Sequence, residues 1–516
     1  MLINLVVLCM SSAKSSLVFR ILSRIESAGN RLPAPTLLFV YLALGILLLS
    51  ALTSWLGVSA LHPVTQQPIQ ALNLLSAEGL HRILESTVTN FTQFAPVGTV
   101  LVAMLGIGVA ERSGLFAVVL GTAVRRAKGV WLTAIVVFVA IMSSLAADTG
   151  YVVLIPLAAI MFHAAGRHPL AGIAAAFAGV SGGYSANLLL GPFDAILAGI
   201  STEAAQIIEP NYHVSIAANY YFMIASTFLI TIVGTFVTNR WVEPRLMAET
   251  ADQPMLTADF TQSSDANSSS VNDRRGLIAV GILSLLFATL ILWGLIPSDG
   301  ILRSPQGEVL RSPFIKGIVV IISVYALLCG AVFARVSGRW KNLSECVGAM
   351  ESSMATMASY LVLMFFAAQF VAYFSWSQLG IISAIEGANQ LRSWQLSHEF
   401  LLLVFVLIAA SINLLIGSGS AKWALLAPIF VPMLLLAGIP PESSQIAFRI
   451  GDSVTNIITP LMPYFGVVIA YAQRYKPNLG IGTLMALMLP YSVSFLIAWS
   501  ALMMVWLSMG WPLGLS

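Results

Sequence analysis

Four polar side chains in the apolar C-terminal third of the 516-residue sequence could bind ions: Asn413, Lys422, Arg449 and Asp452. Ionisable groups in segments apolar enough to enter a membrane are energetically costly and usually functional. Arg449 and Asp452 are three residues apart, so a helix would place both on one face. Asp452, with Asn413, Asn456 and carbonyls freed at a helix break, would form an all-oxygen site for sodium or a proton. The alternative is that Arg449 and Asp452 form a structural ion pair.

The cationic side chains could also bind a substrate. Arg449 and Lys422 could meet a carboxylate, which an arginine can bind with two parallel hydrogen bonds. The ring of Trp423, which has Tyr151 as its counterpart upstream, could stack on an aromatic or planar substrate group. Packing between two apolar surfaces is the alternative explanation for both rings. These residues together indicate a site for a small aromatic or anionic molecule.

Acidic residues occupy comparable positions in the first half of the chain. Asp148 and its neighbour Thr149 lie in S-S-L-A-A-D-T-G-Y, and Asp194 follows the glycine and proline of G-P-F-D. One of these carboxylates could be a protonation site, although an acidic residue at a helix break can instead cap the helix. Pro441, in G-I-P-P-E, could be a hinge, although a pair of prolines more often forms a simple turn.

A helical hairpin predicted at about residues 398–438 positions Asn413, Lys422 and Trp423. Each of its apolar arms is shorter than the about 20 helical residues needed to cross the roughly 30 Å hydrocarbon layer. The arms flank a tip, I-G-S-G-S-A-K-W, that contains Ser418 and Gly419. Backbone that leaves a helix at membrane depth must be buried in protein or line a wet cavity. The tip is therefore predicted to be a binding surface on a re-entrant hairpin.

The same arrangement occurs earlier in the chain, which predicts two repeats. A first hairpin is predicted at about 130–163. Each hairpin is followed by a small-residue helix that is broken near an asparagine, at about 171–200 and 443–472. When the two halves are aligned, Asn187 falls on Asn456. A hairpin followed by a broken helix, present twice, is typical of secondary transporters whose binding site lies between two repeats.

The composition excludes a soluble globular protein. Hydrophobic residues make up 58% of the chain and charged residues 9%, with a mean hydropathy of +0.89, whereas about 25% of the residues of soluble domains are charged. The net charge of +3 comes from basic residues in short loops and does not indicate nucleic-acid binding. Cys9, Cys329 and Cys346 have no C-x-x-C spacing, so neither a disulfide nor a metal site is predicted, and no cofactor is implied. We therefore expect an all-α polytopic membrane protein.

Lysine and arginine residues indicate how the chain crosses the membrane. With about nine transmembrane helices, two hairpins that do not cross and a cytoplasmic N-terminus, 17 of the 25 basic residues lie on the cytoplasmic side and 5 on the opposite side. The hairpins then enter from opposite sides, so the repeats are inverted. The predicted organisation is an N-terminal cytoplasmic extension at 1–30, a first repeat at 31–240, a cytoplasmic linker at 241–275 and a second half with the inverted repeat at 276–516.

Four motifs resemble the p-aminobenzoyl-glutamate transporter (AbgT) family. They are S-S-L-A-A-D-T-G-Y, S-G-G-Y-S-A-N-L-L-L-G, G-S-G-S-A-K-W-A-L-L-A-P-I-F-V-P-M and F-R-I-G-D-S-V-T-N-I-I-T-P-L. The resemblance implies a homodimer in the bacterial inner membrane, with nine membrane helices and two hairpins in each protomer. It also implies import of the folate catabolite p-aminobenzoyl-glutamate or, in some members, ion-driven export of sulfonamide antimetabolites. The family's functional positions fall on Asp194, Trp423, Pro441 and Arg449, and its sodium site on Asn413 and Asp452.

The sequence therefore predicts a secondary active transporter of p-aminobenzoyl-glutamate or related aromatic amides, in which binding of sodium or a proton closes the hairpins around the substrate. An ion-coupled carrier of another organic anion, such as a dicarboxylate, is the nearest alternative, and a channel is a further one. An intramembrane hydrolase is disfavoured because no Ser/His or H-E-x-x-H pattern lies in an apolar segment. A primary pump is disfavoured because the chain has no G-x-x-x-x-G-K-[ST] loop.

Overall fold

The computed structural model covers most of the chain. The described residues are 35–61, 67–126, 129–146, 150–250, 271–297, 299–304, 312–462 and 464–515. Asp148, Thr149 and the predicted extension at 1–30 lie outside the described residues, and so do residues 251–270 of the predicted linker.

The first half of the described chain contains ten α-helices and one β-ribbon. The helices are α1 (Pro35–Trp55), α2 (Ala77–Thr92), α3 (Ala95–Arg112), α4 (Leu115–Arg126), α5 (Leu132–Met142), α6 (Ile155–Ala164), α7 (Pro169–Phe177), α8 (Pro192–Ala205), α9 (Tyr220–Val237) and α10 (Glu243–Thr250). The ribbon pairs β1 (Ser59–Leu61) with β2 (Pro68–Gln70) in antiparallel register, with Ala60 opposite Ile69.

The second half of the described chain contains eleven α-helices. They are α11 (Val271–Leu295), α12 (Pro313–Lys316), α13 (Ile318–Val336), α14 (Leu343–Thr356), α15 (Ala358–Trp376), α16 (Leu379–Ser393), α17 (His398–Asn413), α18 (Gly419–Leu436), α19 (Pro441–Thr455), α20 (Phe465–Gln473) and α21 (Ile481–Ser508). A 3-10 turn at Asn456–Ile458 continues α19, and the chain then leaves the helix before α20 begins.

Eight helices of the described residues are long and apolar enough to cross a membrane, or nine when α16 and α17 are counted as one broken span bent by 120°. The predicted fold class, an all-α polytopic membrane protein, is confirmed. One expectation about arm length was wrong. The second arm of the second hairpin, α18, has 18 residues, because the helix begins at the tip and continues through Pro428 and Pro432. That length approaches the about 20 residues of a full span.

Serine caps define where the second hairpin begins and turns. Ser397 accepts a hydrogen bond from the Phe400 backbone N–H at the start of α17. Ser418 accepts one from the Ala421 N–H, at 3.4 Å, at the start of α18. The four residues between Asn413 and Ser418 therefore form the only non-helical turn within this hairpin, and they bring the two helix ends to one place.

Glycines allow each broken helix to pack closely against its hairpin. A Cβ atom on Gly451 of α19 would lie 2.5 Å from the Val406 carbonyl oxygen of α17. A Cβ atom on Gly179, in the π-helical turn after α7, would lie 2.7 Å from the Val137 carbonyl oxygen of α5. Both distances are shorter than any ordinary van der Waals contact, so only glycine fits at these crossings.

Arg167 anchors the first hairpin to its neighbouring scaffold. Its guanidinium binds both carboxylate oxygens of Glu243, at 2.9 and 2.5 Å. It also donates to Thr133 Oγ1 in α5 and to Asn239 Oδ1 beside α10, each at 2.7 Å. The fork geometry of arginine allows one side chain to join three segments.

Candidate functional site

Lys422 lies at the centre of the buried polar residues at the hairpin tip. Asn413 ends α17, Lys422 lies in the first turn of α18, and Asp452 lies on α19; each is at most 1% exposed. The Lys422 ammonium forms an ion pair with Asp452 Oδ1 and donates a hydrogen bond to Asn413 Oδ1. Three separate helices are therefore joined by one charged group.

The amide nitrogen of Asn413 completes this cluster. It contacts the Asp452 carbonyl oxygen at 2.6 Å, Thr455 Oγ1 at 2.7 Å and Asn456 Oδ1 at 3.0 Å. The structure thus brings together the three residues predicted to hold a cation, Asn413, Asp452 and Asn456. Their oxygens are ligands that suit sodium. Here, however, the Lys422 ammonium contacts the two side-chain oxygens of Asn413 and Asp452 that a cation would use.

A second buried ion pair lies one helical turn away. Arg449 Nη2 and Asp194 Oδ1 are 2.6 Å apart, and the two side chains are 3% and 6% exposed. The alternative that Arg449 pairs with Asp452 was wrong, because each of them has a different partner, 255 residues away for Arg449 and on α18 for Asp452. The other Asp194 oxygen accepts the Gly191 N–H at 2.7 Å, so Asp194 also caps α8.

The tip of the second hairpin lies beside Asp452 and the ring of Phe193. A Cβ atom on Gly419 would lie 3.1 Å from the Phe193 ring and 3.4 Å from Asp452 Oδ1. The Arg449 guanidinium lies 5.9 Å from the centre of the same Phe193 ring, within range of a cation–π interaction. Phe193 was not predicted from the sequence, although its position between the helix-starting Pro192 and Asp194 was the available signal.

Trp423 is fully buried in this conformation. Its indole N–H donates to Ser201 Oγ at 3.0 Å and to the Leu197 carbonyl at 3.3 Å. Its ring lies 4.6 Å from the ring of Phe448, at an interplanar angle of 32°. The structure thus shows Trp423 packing α18 against α8 and α19. Its predicted stacking on a substrate requires a conformation in which this ring becomes accessible.

Tyr151 lies in a separate aromatic cluster and not beside Trp423. Its ring stacks on Tyr464, with centroids 4.3 Å apart and an interplanar angle of 10°. Its hydroxyl shares a hydrogen bond of 2.8 Å with Ser181 Oγ. The Ser181 carbonyl in turn accepts from Asn456 Nδ2 at 3.5 Å. Tyr151 therefore connects the first hairpin to the breaks of both broken helices, a role that aromatic spacing alone did not indicate.

The remaining predicted residues lie at a helix break or at the start of a helix. Asn187 donates to Ser144 Oγ at 2.8 Å, which joins the first helix break to the first hairpin. Ser418 caps α18 as described, and Pro441 is the first residue of α19. Whether each of these residues binds substrate stays a prediction.

A small cavity adjoins the Arg449–Asp194 pair. Its volume is about 20 Å³, enough for roughly one water molecule, whereas small-molecule sites are usually about 300–1,000 Å³. Its lining consists of Ser144, Leu145, Tyr184, Ser185, Asn187, Gly191, Pro192, Phe193, Asp194, Met223 and Arg449. The buried Arg449 Nε and Ser185 Oγ atoms make no hydrogen bond within the described structure. Among the described residues, this space beside the Arg449–Asp194 pair is therefore too small to hold an organic substrate.

A larger, open cavity of about 600 Å³ lies at the start of α19, on the side predicted to face away from the cytoplasm. Tyr212 Oη donates to a Glu442 carboxylate oxygen at 3.0 Å, and Asn219 Nδ2 donates to the Glu442 carbonyl at 3.0 Å. Desolvation by burial raises the pKa of the Glu442 carboxyl and that of the Tyr212 phenol. These contacts connect the loop after α8 to the link that contains Pro441.

In the described part of the chain, no group of three or more His, Cys, Asp or Glu side chains could hold a metal ion. Cys329 and Cys346 are buried and unbridged, and Cys9 lies outside the described residues.

Comparison with known proteins decides the family. The family model described as "AbgT putative transporter family" matches residues 20–516. The chain belongs to this family. It is 38% identical to the p-aminobenzoyl-glutamate transport protein of Escherichia coli strain K12 over 491 residues, which is 95% of each chain.

Two solved structures of family members superpose closely. The Alcanivorax borkumensis YdaH transporter, described as having an unusual topology, is 52% identical with a TM-score of 0.88, and the match covers 93% of this chain and 100% of that chain. Neisseria gonorrhoeae MtrF, described as illuminating a class of antimetabolite efflux pumps, is 48% identical with a TM-score of 0.89, and the match covers 94% and 97% of the two chains. The predictions of an AbgT-family transporter, not an enzyme, and of a multi-pass inner-membrane protein are confirmed.

Proposed function

We propose that the protein is a secondary active transporter of p-aminobenzoyl-glutamate or related aromatic amides, driven by a sodium or proton gradient. The observation that carries the proposal is the pair of buried ion pairs, Lys422–Asp452 and Arg449–Asp194, at the break of a membrane helix. Such charges in a membrane protein are costly and are usually retained for transport. The Escherichia coli relative is named for transport of this compound, which supports the substrate class.

The chemistry of the site suits this substrate. p-Aminobenzoyl-glutamate has an aromatic amide at one end and two carboxylates at the other. Arg449 and Lys422 supply two cations, and Phe193 and Trp423 supply apolar rings close to them. An arginine bound to a carboxylate and a ring stacked on the aminobenzoyl group would hold both ends.

A second candidate function is efflux of sulfonamide antimetabolites. The observation that favours it is the 48% identity to MtrF over almost the entire chain. A sulfonamide shares the aromatic amine but lacks the dicarboxylate, so its transport would use the aromatic contacts and less of the cationic pair.

The arrangement as a homodimer, which the family resemblance implied, is also part of our proposal, and the mass of the protein in nanodiscs would test it.

Counterflow in proteoliposomes tests the proposed function. Labelled p-aminobenzoyl-glutamate and a labelled sulfonamide would be supplied separately, with sodium and proton gradients imposed one at a time. We expect accumulation above the external concentration, which a channel cannot produce. Accumulation of a simple dicarboxylate in place of both compounds would favour the alternative carrier, and equilibration without accumulation would favour a channel.

The variant Asp452→Ala tests the ion site in the same assay. We expect it to abolish ion-dependent transport, because the variant removes the only carboxylate among the predicted cation ligands. Asp273→Asn is a matched control, since Asp273 on α11 pairs with Arg339, which is neither a predicted cation ligand nor a predicted substrate contact. Unchanged ion dependence in Asp452→Ala would contradict the proposed ion site.

A further inference from the structure

The Lys422 ammonium occupies the position at which the proposed site would bind its coupling cation. It contacts Oδ1 of Asp452 and Oδ1 of Asn413, which are the side-chain oxygens predicted as cation ligands. The Asn413 amide nitrogen is already used toward Thr455, Asn456 and the Asp452 carbonyl. A cation can therefore reach this pair of oxygens only if the lysine side chain leaves them.

Charge balance makes the two occupants mutually exclusive. At the hairpin tip, two buried carboxylates, Asp194 and Asp452, are matched by two buried cations, Arg449 and Lys422. Addition of sodium beside an unmoved Lys422 would place two positive charges on one buried carboxylate. An uncompensated charge in such a position is strongly unfavourable. Exchange of the ammonium for sodium, in contrast, leaves the charge at Asp452 unchanged.

We infer that sodium, or another monovalent coupling cation, displaces Lys422 from Asp452, and that the displaced ammonium then binds a carboxylate of the substrate. This inference rests on the proposed function, because it assigns the coupling step of that transport. It requires no change in the protonation of Lys422. Before the ion binds, the Lys422 ammonium is held by Asp452 and Asn413. Ion binding thereby makes this ammonium available to an anion.

The geometry places the displaced lysine near the rest of the site. Lys422 lies in the first turn of α18, where the positive end of the helix repels an ammonium and Asp452 alone compensates it. Arg449 is one turn from Asp452 on α19, about 4.5 Å along the helix axis. A lysine released from Asp452 can therefore share an anionic ligand with the neighbouring Arg449. Because Lys422 and Gly419 both lie in the first turn of α18, release of the ammonium would also remove a contact that holds the hairpin tip to α19.

Sodium binding to the purified protein in nanodiscs tests the displacement directly. Binding of radioactive sodium would be measured at constant ionic strength, with N-methyl-D-glucamine as the replacement cation. We expect Lys422→Gln to bind sodium at least tenfold more tightly than the wild type, because its internal competitor is gone. Asp452→Asn should bind no sodium at this site, and Lys341→Gln, which alters an exposed lysine, should match the wild type. Equal or weaker binding by Lys422→Gln would overturn the inference.

A measurement on the wild type keeps the test decisive if Lys422→Gln does not fold. Hydrogen–deuterium exchange of peptides that cover residues 413–423 would be compared with and without sodium. We expect sodium to increase exchange at the tip, because it releases the Lys422 contacts. Unchanged or slower exchange would overturn the inference.

Substrate binding tests the second half of the inference. Sodium should raise the affinity of the wild type for p-aminobenzoyl-glutamate at least fivefold, and Lys422→Gln should lose this effect while it still binds sodium. A sodium effect of equal size in Lys422→Gln would overturn the proposal that the displaced Lys422 ammonium binds the substrate. If the wild type bound no p-aminobenzoyl-glutamate at any sodium concentration, the proposed function would fail, whereas the sodium titration would still decide the displacement.

Discussion

Replacement of Asp194 by asparagine should destabilise the protein strongly, because it leaves the buried positive charge of Arg449 without its partner. Asn can still accept the Gly191 N–H, so the cap of α8 is retained and only the negative charge is lost. Arg449 is 2% exposed, and its partner oxygen is 2.6 Å away. Removal of one partner of such a buried pair costs about 3–5 kcal/mol. This corresponds to a decrease of roughly two to four orders of magnitude in the ratio of folded to unfolded protein.

A double-mutant cycle separates the cost of the unpaired Arg449 charge from the other effects of Asp194→Asn on stability. Asp194→Asn with Arg449→Gln removes both charges, so we expect the double variant to be more stable than Asp194→Asn alone. The control pair is Arg339–Asp273, in which the arginine side chain is 38% exposed. Loss of that pair should cost about 0–1 kcal/mol.

Stability in detergent would be followed by chemical unfolding and by thermal unfolding with a thiol-reactive dye, which reports on the buried Cys329 and Cys346. We expect a large loss of stability for Asp194→Asn, partial recovery in the double variant and a small change in Asp273→Asn. A loss below about 1 kcal/mol for Asp194→Asn, the range of an exposed pair, would refute it, as would additive losses in the double variant.

Three further substitutions have defined outcomes. Gly451→Ala should destabilise by about 1–3 kcal/mol, because its Cβ would lie 2.5 Å from the Val406 carbonyl; an unchanged melting temperature would show that α19 can shift. Arg167→Lys should lower thermal stability, since a lysine cannot make the two parallel hydrogen bonds to Glu243. Equal stability would show that these two hydrogen bonds do not stabilise the protein. Glu442 has a raised pKa in the fold, so its ionisation destabilises the native state as the pH rises through that pKa. Melting curves measured upward from about pH 4 should therefore show a loss of stability that Glu442→Gln lacks, and parallel curves would contradict this.

Segment lengths and small-residue patterns predicted much of the architecture. The second hairpin was recognisable because two apolar arms flank Gly417, Ser418 and Gly419, residues that do not continue a membrane helix well. The paired asparagines Asn187 and Asn456 located both helix breaks, since amide side chains can satisfy backbone groups freed there. These signals are local, and local signals can be obtained from the sequence alone.

Pairing of the buried charges could not be predicted in the same way. Arg449 and Asp452 are close in sequence, which suggested that they bind each other, but their side chains reach different helices. The partner of Arg449 is 255 residues away, and its choice depends on how the two halves pack. Asp452 was predicted to bind a coupling cation. The folded structure is needed to show that the ammonium of Lys422, thirty residues earlier in the chain, also pairs with this carboxylate.

The aromatic residues show the same limit. Trp423 was recognised as a large ring beside the tip, but its burial against Phe448 and Ser201 depends on packing of three helices. Tyr151 was matched to Trp423 by alignment of the two halves of the sequence, yet its ring stacks on Tyr464. Alignment of the two halves therefore did not predict which side chains these rings contact.

The central claim is that a cation gradient drives uphill movement of an aromatic amide through a site that includes Asp452. The most direct test is uptake of labelled p-aminobenzoyl-glutamate into proteoliposomes under an imposed sodium gradient, repeated with a proton gradient and with Asp452→Ala. We expect accumulation above the external concentration under one of the two gradients, and loss of that accumulation in the variant. Equal internal and external concentrations under both gradients, or undiminished accumulation in Asp452→Ala, would contradict it.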